Sequence, residues 1–259
     1  RFIRLYANGY CFKDFYYRFQ LEVNGAPGVD KGPRIVDAFV EWQHWNFFRV
    51  KLGQFKRSFG FENPYSPLNG GLGSYSQATM KLASINDRIG EHKSSGRDLG
   101  LQFQGDGIKG KKEGHYWLHY QVGVFNGQGI NMKDVDNRKD VIGGIWLMPV
   151  SGMRIGAFGW TGSYARTGTW TENGETVSGT RTVSRNRYAI SGEYVKDDWT
   201  FRSEYIHSQG YGFSTTYQKD GQQKDCTINT GAGDKADGLY ALLIAPVKKN
   251  KVHLKARYD

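Results

Sequence analysis

Phe15-Tyr-Tyr-Arg-Phe-Gln-Leu-Glu-Val23 alternates without a break. Phe15, Tyr17, Phe19, Leu21 and Val23 fall on one side and Tyr16, Arg18, Gln20 and Glu22 on the other. That is the period of two of an extended strand; a helix would scatter these residues around its surface. The same split separates Val36, Ala38, Val40 and Trp42 from Asp37, Phe39, Glu41 and Gln43. It returns at Trp199, Phe201, Ser203 and Tyr205 against Thr200, Arg202 and Glu204, and at Val252, Leu254, Ala256 and Tyr258 against His253, Lys255 and Arg257. Extended along the chain, the pattern predicts about twelve strands: 1–10, 14–23, 34–43, 47–55, 97–105, 114–126, 139–149, 151–162, 185–195, 198–208, 236–246 and 250–259. Most are close to the ~9–11 residues that a tilted strand needs to cross a bilayer. Nothing between them reads as a long amphipathic helix, which argues against a parallel α/β sheet. Two segments, 139–149 and 236–246, are apolar on both faces in parts.

Composition fits this reading. The chain has 259 residues, of which 38% are hydrophobic and 15% aromatic, with 35 glycines against 6 prolines, and its mean hydropathy is -0.62. So many aromatics argue against disorder, and no run approaches the ~20 apolar residues of a membrane helix. A transmembrane barrel reconciles the two, because lipid-facing and lumen-facing side chains alternate and their average looks soluble. The formal charge of +10 suits nucleic acid, an anionic membrane surface or small anions, and charge alone does not choose among them. Two cysteines, Cys11 and Cys226, are too few for a disulfide framework and lack metal-site spacing.

The connections alternate short (11–13, 44–46, 150, 196–197, 247–249) with long (24–33, 56–96, 163–184, 209–235), the 106–113 and 127–138 segments being intermediate. Tight turns at one end and long loops at the other are the asymmetry of an outer-membrane barrel. The expected fold is therefore an all-β, transmembrane, antiparallel up-and-down β-barrel forming one domain over 1–259. Loop parity makes 1–10 a second strand and 56–96 a third external loop. On that count about twelve strands are visible of ~16, with strands wanting at both ends; a closed twelve-strand barrel is the alternative. Either way Cys11 and Cys226 fall at opposite ends, too far apart for a disulfide.

Three stretches resemble a known family. Val50-Lys-Leu-Gly-Gln-Phe-Lys-Arg-Ser-Phe-Gly-Phe-Glu62, running off a strand into the longest loop, resembles a hallmark of the phosphate- and polyphosphate-selective porin O/P family. Arg97-Asp-Leu-Gly-Leu-Gln-Phe-Gln-Gly105 is similar to that family's next strand, and Tyr120-Gln-Val-Gly-Val-Phe-Asn-Gly-Gln-Gly-Ile-Asn131 to the strand and loop after it. The chain differs at Ser58-Phe59, where the family often carries a proline. The resemblance implies a 16-strand, usually trimeric channel of the Gram-negative outer membrane, whose third loop folds inward as a basic constriction for phosphate-like anions.

On the expected lumen face stand Arg4, Arg18, Arg49, Lys51, Arg154, Arg187, Arg202, Lys255 and Arg257, with Glu22, Asp37, Glu41, Asp98, Glu193 and Glu204 as acidic partners. Two readings stay open: cross-strand ion pairs that brace a water-filled wall, and a cationic excess that sets anion preference. No distinct ladder of arginines is apparent. The long loop adds Lys56, Arg57, Lys81, Arg88, Lys93 and Arg97 against Glu62, Asp87 and Glu91, and Asn69-Gly-Gly-Leu-Gly-Ser74 suits a chain that bends back on itself. If it enters the lumen, its charge sits where the field is most focused; otherwise it is a solvated surface loop.

Other motif-like strings are read as structural. Gly105-Asp-Gly-Ile-Lys-Gly110 matches a dinucleotide fingerprint but no helix follows it, so it is expected to be a periplasmic turn. Asp134, Asp136 and Asn137 lack the distal carboxylate of an EF-hand. His115 and His119 share a strand face at a separation of ~13 Å, too far for one metal ion. No catalytic set emerges from spacing, and no cofactor or metal is expected.

The expected function is passive diffusion of small anions, phosphate or polyphosphate among them, through the outer membrane. The expected partners are outer-membrane lipid and lipopolysaccharide, small anions and further copies in a homotrimer, with no nucleic acid. The alternatives are a structural or partner barrel of a larger outer-membrane complex with little conductance, and a barrel enzyme with a Ser or carboxylate beside a His near the membrane boundary.

Overall fold

A computed structural model describes residues 3–24, 32–66, 72–84, 86–91, 94–110, 114–217, 225–248 and 251–259. Its strands are β1 (Arg4–Cys11), β2 (Phe15–Glu22), β3 (Arg34–Trp45), β4 (Phe48–Lys56), β5 (Arg97–Lys109), β6 (Tyr116–Phe125), β7 (Asp140–Leu147), β8 (Met153–Glu172), β9 (Glu175–Lys196), β10 (Trp199–Gln209), β11 (Gly212–Phe213), β12 (Ile228–Asn229), β13 (Lys235–Lys248) and β14 (Val252–Tyr258). Twelve of them form one antiparallel sheet in which each strand pairs with its predecessor in sequence, β10 passing to β13. The sheet curves as an up-and-down wall, with β1 and β14 at its edges and not joined to one another. β11 and β12 make a separate two-stranded ribbon in the 209–235 connection. Among the described residues no helix is long and apolar enough to cross a membrane.

Each expected strand is present, because period-two alternation reports directly on two faces in different environments. Outward side chains such as Tyr17, Phe19, Leu52, Leu99, Val122, Ile145, Ile190, Phe201 and Leu243 are exposed and apolar. Inward ones such as Gln20, Glu22, Glu41, Gln102, Arg187 and Glu204 are buried and polar. Tyr10, Phe12, Phe15, Trp45, Phe47, Trp117 and Trp199 are exposed at the tight-turn end, which makes that end an aromatic girdle. Two of its turns are set by consecutive left-handed residues, Phe12 and Lys13 (φ 49° and 68°) and Asp197 and Asp198 (φ 51° and 70°), matching the twist of the strands they join.

Three expectations are corrected. The 163–184 segment is not a loop: β8 and β9 continue as a paired ribbon with Glu172 opposite Glu175. It turns at Asn173-Gly174 (φ 51° and 83°), the dipeptide that a two-residue hairpin favours; its many Thr and Ser residues mask an alternation that needs hydrophobic contrast to be seen. Residues 105–109 are the end of β5 rather than a turn. Strict alternation also fails within β3, where Gln20 pairs with Asp37 but Leu21 with Ile35. This bulge leaves Val36 over and reverses the facing of everything before it, so Val36 turns inward to full burial and Arg34 with it.

The core explains the two segments that looked apolar on both faces. Phe59 and Phe61 from the long loop pack edge-on against Phe158, Trp160 and Trp146. A short helical segment, α1 (Gln77–Thr79), continues as one π turn, Met80–Ser84. Its Ala78 and Leu82, with Ala83, join Ile142 of β7 and Tyr240 and Leu242 of β13 in one buried cluster. β7 and β13 are apolar inside because the loop covers them there.

Candidate functional site: the inner wall and the infolded loop

The loop after β4 is held to the wall by backbone donors aimed at one carboxylate. Glu204 on β10 accepts from the N–H groups of Phe61 and Glu62 at 2.7 and 2.6 Å, from Ser191 Oγ at 2.6 Å and from Tyr240 Oη at 2.7 Å. Gly60 makes this approach possible: its φ is +74°, and a Cβ there would stand 2.5 Å from Glu204 Oε2. Glu62 in turn accepts from the N–H and hydroxyl of Ser76, whose hydroxyl caps α1 through the Thr79 N–H. Lys56 donates to the carbonyls of Asn63 and Tyr65 and to the Tyr75 hydroxyl. Burial pushes the Tyr65 and Tyr75 phenols above their ordinary range, so both stay neutral, Tyr75 donating to the Tyr65 carbonyl at 2.6 Å.

Further along, the loop is locked by a buried charge cluster. Arg57 donates to Glu91 at 3.2 and 2.8 Å, and Arg185 of β9 to Glu91 and Asp140, both at 2.5 Å. Arg187 forms a two-pronged pair with Asp87 at 2.6 and 2.7 Å. All three guanidiniums lie 4.6 to 4.8 Å from the centre of the Trp160 ring, whose Nε1 donates to Asp140 at 2.8 Å. With Asp98 3.8 Å from Arg57, three cations here meet four carboxylates. This region braces; it has no positive excess.

A second group of arginines lies on the other wall. Glu22 receives Arg4 (3.3 Å) and Arg34 (2.9 Å), and Asp37 receives Arg97 (2.7 Å) and Arg18 (3.7 Å). Four arginines from β1, β2, β3 and β5 thus gather around Glu22 and Asp37. Arg18 is the most open of the paired arginines, its side chain 39% exposed. Lower on the same wall Lys51 pairs with Glu41 at 3.2 Å and rests over the Phe39 and Phe55 rings. Arg49 pairs at 2.6 Å with Asp106, which also bonds His119.

The other expected site residues divide similarly. Arg154 and Arg202 share Glu193 at 2.7 and 2.5 Å and stack on Phe61 and Tyr65. Arg88 holds the carbonyls of Gly210 and Gly233, both at 2.8 Å. Lys81 and Lys255 are exposed. Arg257 pairs with Asp259 and donates to the Ser74 carbonyl. Lys93 and residues 69–71 lie outside the described residues.

Arg34, Arg166 and Arg185 were not singled out by sequence. Arg34 is turned inward only by the β3 bulge. Arg185 shares its face with Arg181 and Arg187, and Arg166 stands opposite Arg181, so the arginine row of β9 runs on into the 163–184 ribbon. Arg166 ties the loops together, donating to the carbonyls of Gly90 (2.6 Å), Asp225 (2.7 Å) and Thr215 (2.8 Å).

Cys11 is exposed and Cys226 is buried, its Sγ donating to the Arg166 carbonyl at 3.4 Å; the two are not joined to one another. Asp134 accepts from Lys139 and from the N–H groups of Asp136 and Asn137, and among the described residues no group of three His, Cys, Asp or Glu could hold a metal ion. A His beside a carboxylate does occur near the long-loop end: His207 Nδ1 lies 2.8 Å from Asp237 Oδ1, with the Tyr188 ring stacked on the imidazole.

A family model described as phosphate-selective porin O and P matches residues 1–136, just over half of the chain. No curated protein matches. Among solved structures the chain is similar to OmpT, an outer membrane protein of Vibrio cholerae. A mutant lacking loop L8 aligns with a TM-score of 0.58 at 11% identity, covering 98% of this chain and 70% of that one. The outer-membrane-expressed protein aligns at 0.54 and 12%, covering 97% and 64%, and the in-vitro folded protein at 0.53 and 12%, covering 98% and 65%. At such identities the shared property is the fold, an outer-membrane barrel, and the chain spans about two thirds of these proteins' length.

Proposed function

Because this chain belongs to the phosphate-selective porin O and P family, and is thus a porin of the Gram-negative outer membrane, we propose that it passes small phosphate-like anions past the basic strip of β1 to β5, without catalysis. The observation that carries this reading is the gathering of Arg4, Arg18, Arg34 and Arg97 on one wall, where the Arg18 side chain is 39% exposed, while the arginines around Trp160 are fully buried. An anion moving down its gradient exchanges hydration water for guanidinium donors, and the neighbouring Glu22 and Asp37 keep binding weak enough for release. The infolded loop narrows the passage and presses the anion toward the basic side. Trimer assembly and a surround of lipopolysaccharide belong to the same reading.

Planar-bilayer recording across a salt gradient tests it. The expected reversal potential has the sign of anion preference, weakened in the double variant Arg4→Gln/Arg18→Gln; cation preference in the unmodified protein overturns the reading. A second reading, a partner barrel with little conductance, is favoured by the apolar packing of Phe59, Phe61 and Leu82 against the inner wall, and predicts no channel events.

A further inference from the structure

On the outward side of β7 and β8 the wall is hollowed. Gly143 and Gly159 stand opposite each other and floor a groove of about 810 Å³, walled by Val122, Val141, Ile145, Ala157 and Tyr188. A Cβ built at Gly159 would meet no atom within 4 Å, so the hollow is open to whatever surrounds the barrel. The surroundings are lipid, since Val122, Val141, Ile145 and Ile190 here are exposed and apolar.

Toward the long loops the wall turns polar. Register sets Thr161, Asn186, Gln209 and Lys235 side by side across β8, β9, β10 and β13, all exposed. The row beneath holds Tyr188, His207 and Asp237. His207 is eight residues from Trp199 in the girdle at the other end. Along a strand tilted ~45° that is a height of about 19 Å, toward the far edge of an apolar band ~25 Å tall. Ionisable side chains on a lipid-facing wall are costly and mark a function.

Polar donors above and an apolar hollow below form the polarity profile of a single amphiphile. Donors select its head. Asp237 is held by His207 at 2.8 Å and by the Tyr205 hydroxyl at 2.5 Å, and the Asn186 amide oxygen accepts from Thr161 at 2.7 Å, which leaves the Lys235 ammonium and the NH₂ groups of Asn186 and Gln209 to donate to a group with several acceptor oxygens. We propose that this groove seats the acyl chain of an outer-leaflet lipid whose phosphate-bearing headgroup rests on Lys235, Gln209 and Asn186. The assignment rests on the long loops being extracellular and is independent of which ions cross the lumen.

Native mass spectrometry of the full chain in detergent, incubated with palmitoyl-oleoyl-phosphatidylglycerol or with the phosphatidylcholine of the same chains, tests this. The unmodified protein is expected to retain one phosphatidylglycerol in preference to phosphatidylcholine. Gly159→Leu, whose Cβ meets no atom within 4 Å, puts a branched side chain into the hollow and is expected to cut retention of both lipids about tenfold. Lys235→Glu, on the surface and away from any packing, is expected to lower phosphatidylglycerol retention by a similar factor and phosphatidylcholine retention by less, since choline offsets the phosphate charge. Equal phosphatidylglycerol retention by the unmodified protein and both variants overturns the proposal. So does loss of self-association in Gly159→Leu with lipid retention intact, which would assign the groove to a second copy of the chain. Single-channel conductance is expected to be the same in all three proteins, which separates this site from the lumen.

Discussion

Replacing Glu204 with glutamine should release the infolded loop from the wall. All four groups around the carboxylate are donors: the N–H groups of Phe61 and Glu62, Ser191 Oγ and Tyr240 Oη, at 2.6 to 2.7 Å. A carboxylate accepts from all of them, whereas an amide turns an NH₂ toward one pair. Hydrogen bonds to a charged acceptor contribute ~1.5–3 kcal/mol each, so losing two costs about 3–6 kcal/mol. That makes local opening roughly 10²- to 10⁴-fold more frequent without unfolding the barrel. The direct readout is amide hydrogen exchange at Phe61 and Glu62. Protection there should fall by at least ~100-fold while the amides of β8 and β9 keep theirs. Gly60→Ala should give the same pattern, because its Cβ and the carboxylate cannot occupy the same space. Unchanged protection at both amides in Glu204→Gln would refute the claim that this carboxylate anchors the loop.

Trp160→Leu removes the ring shared by Arg57, Arg185 and Arg187 together with the donor to Asp140. The expected loss is about 3 kcal/mol, read as a lower urea midpoint of the detergent-folded protein; an unshifted midpoint would show that the ring supports nothing. Gly174→Val puts a β-branched residue at φ 83° and should destabilise the ribbon tip by about 1–2 kcal/mol, seen as faster proteolysis within 163–184. Acidification should loosen the 127–139 connection. Slight burial raises the Asp134 carboxyl, but bonds from Lys139 and from the Asp136 and Asn137 N–H groups outweigh it and hold the group below its ordinary value. A depressed acid contributes stability above its unfolded pKa and loses it as pH falls through the folded one. Protection of the Asp136 and Asn137 amides, corrected for intrinsic exchange, should therefore decline only below about pH 4.

The strands were legible because a wall between lipid and a polar interior writes its two environments into alternate residues, as Phe15 to Val23 does. Legibility failed where one environment changes. Beyond the apolar band both faces of β8 and β9 meet polar surroundings, so Thr167 to Thr182 carries no alternation although the ribbon is fully paired. Where the loop folds in, Tyr240 and Leu242 face apolar groups inside, and the strand loses its polar side.

The inner-wall residues were partly legible for the same reason. Alternation by itself put Arg18, Lys51, Arg154, Arg187 and Arg202 on one face, since parity needs only local backbone geometry. Which carboxylates they meet depends on partners from distant segments. Arg187 meets Asp87 and Arg97 meets Asp37, and one bulge in β3 decides that Arg34 joins the wall. Two-faced strands, their order and arginines on the inward face follow from spacing along the chain and are readable there. Which of those arginines are cancelled depends on distance in space and on burial, and is set by the folding of remote segments onto one another.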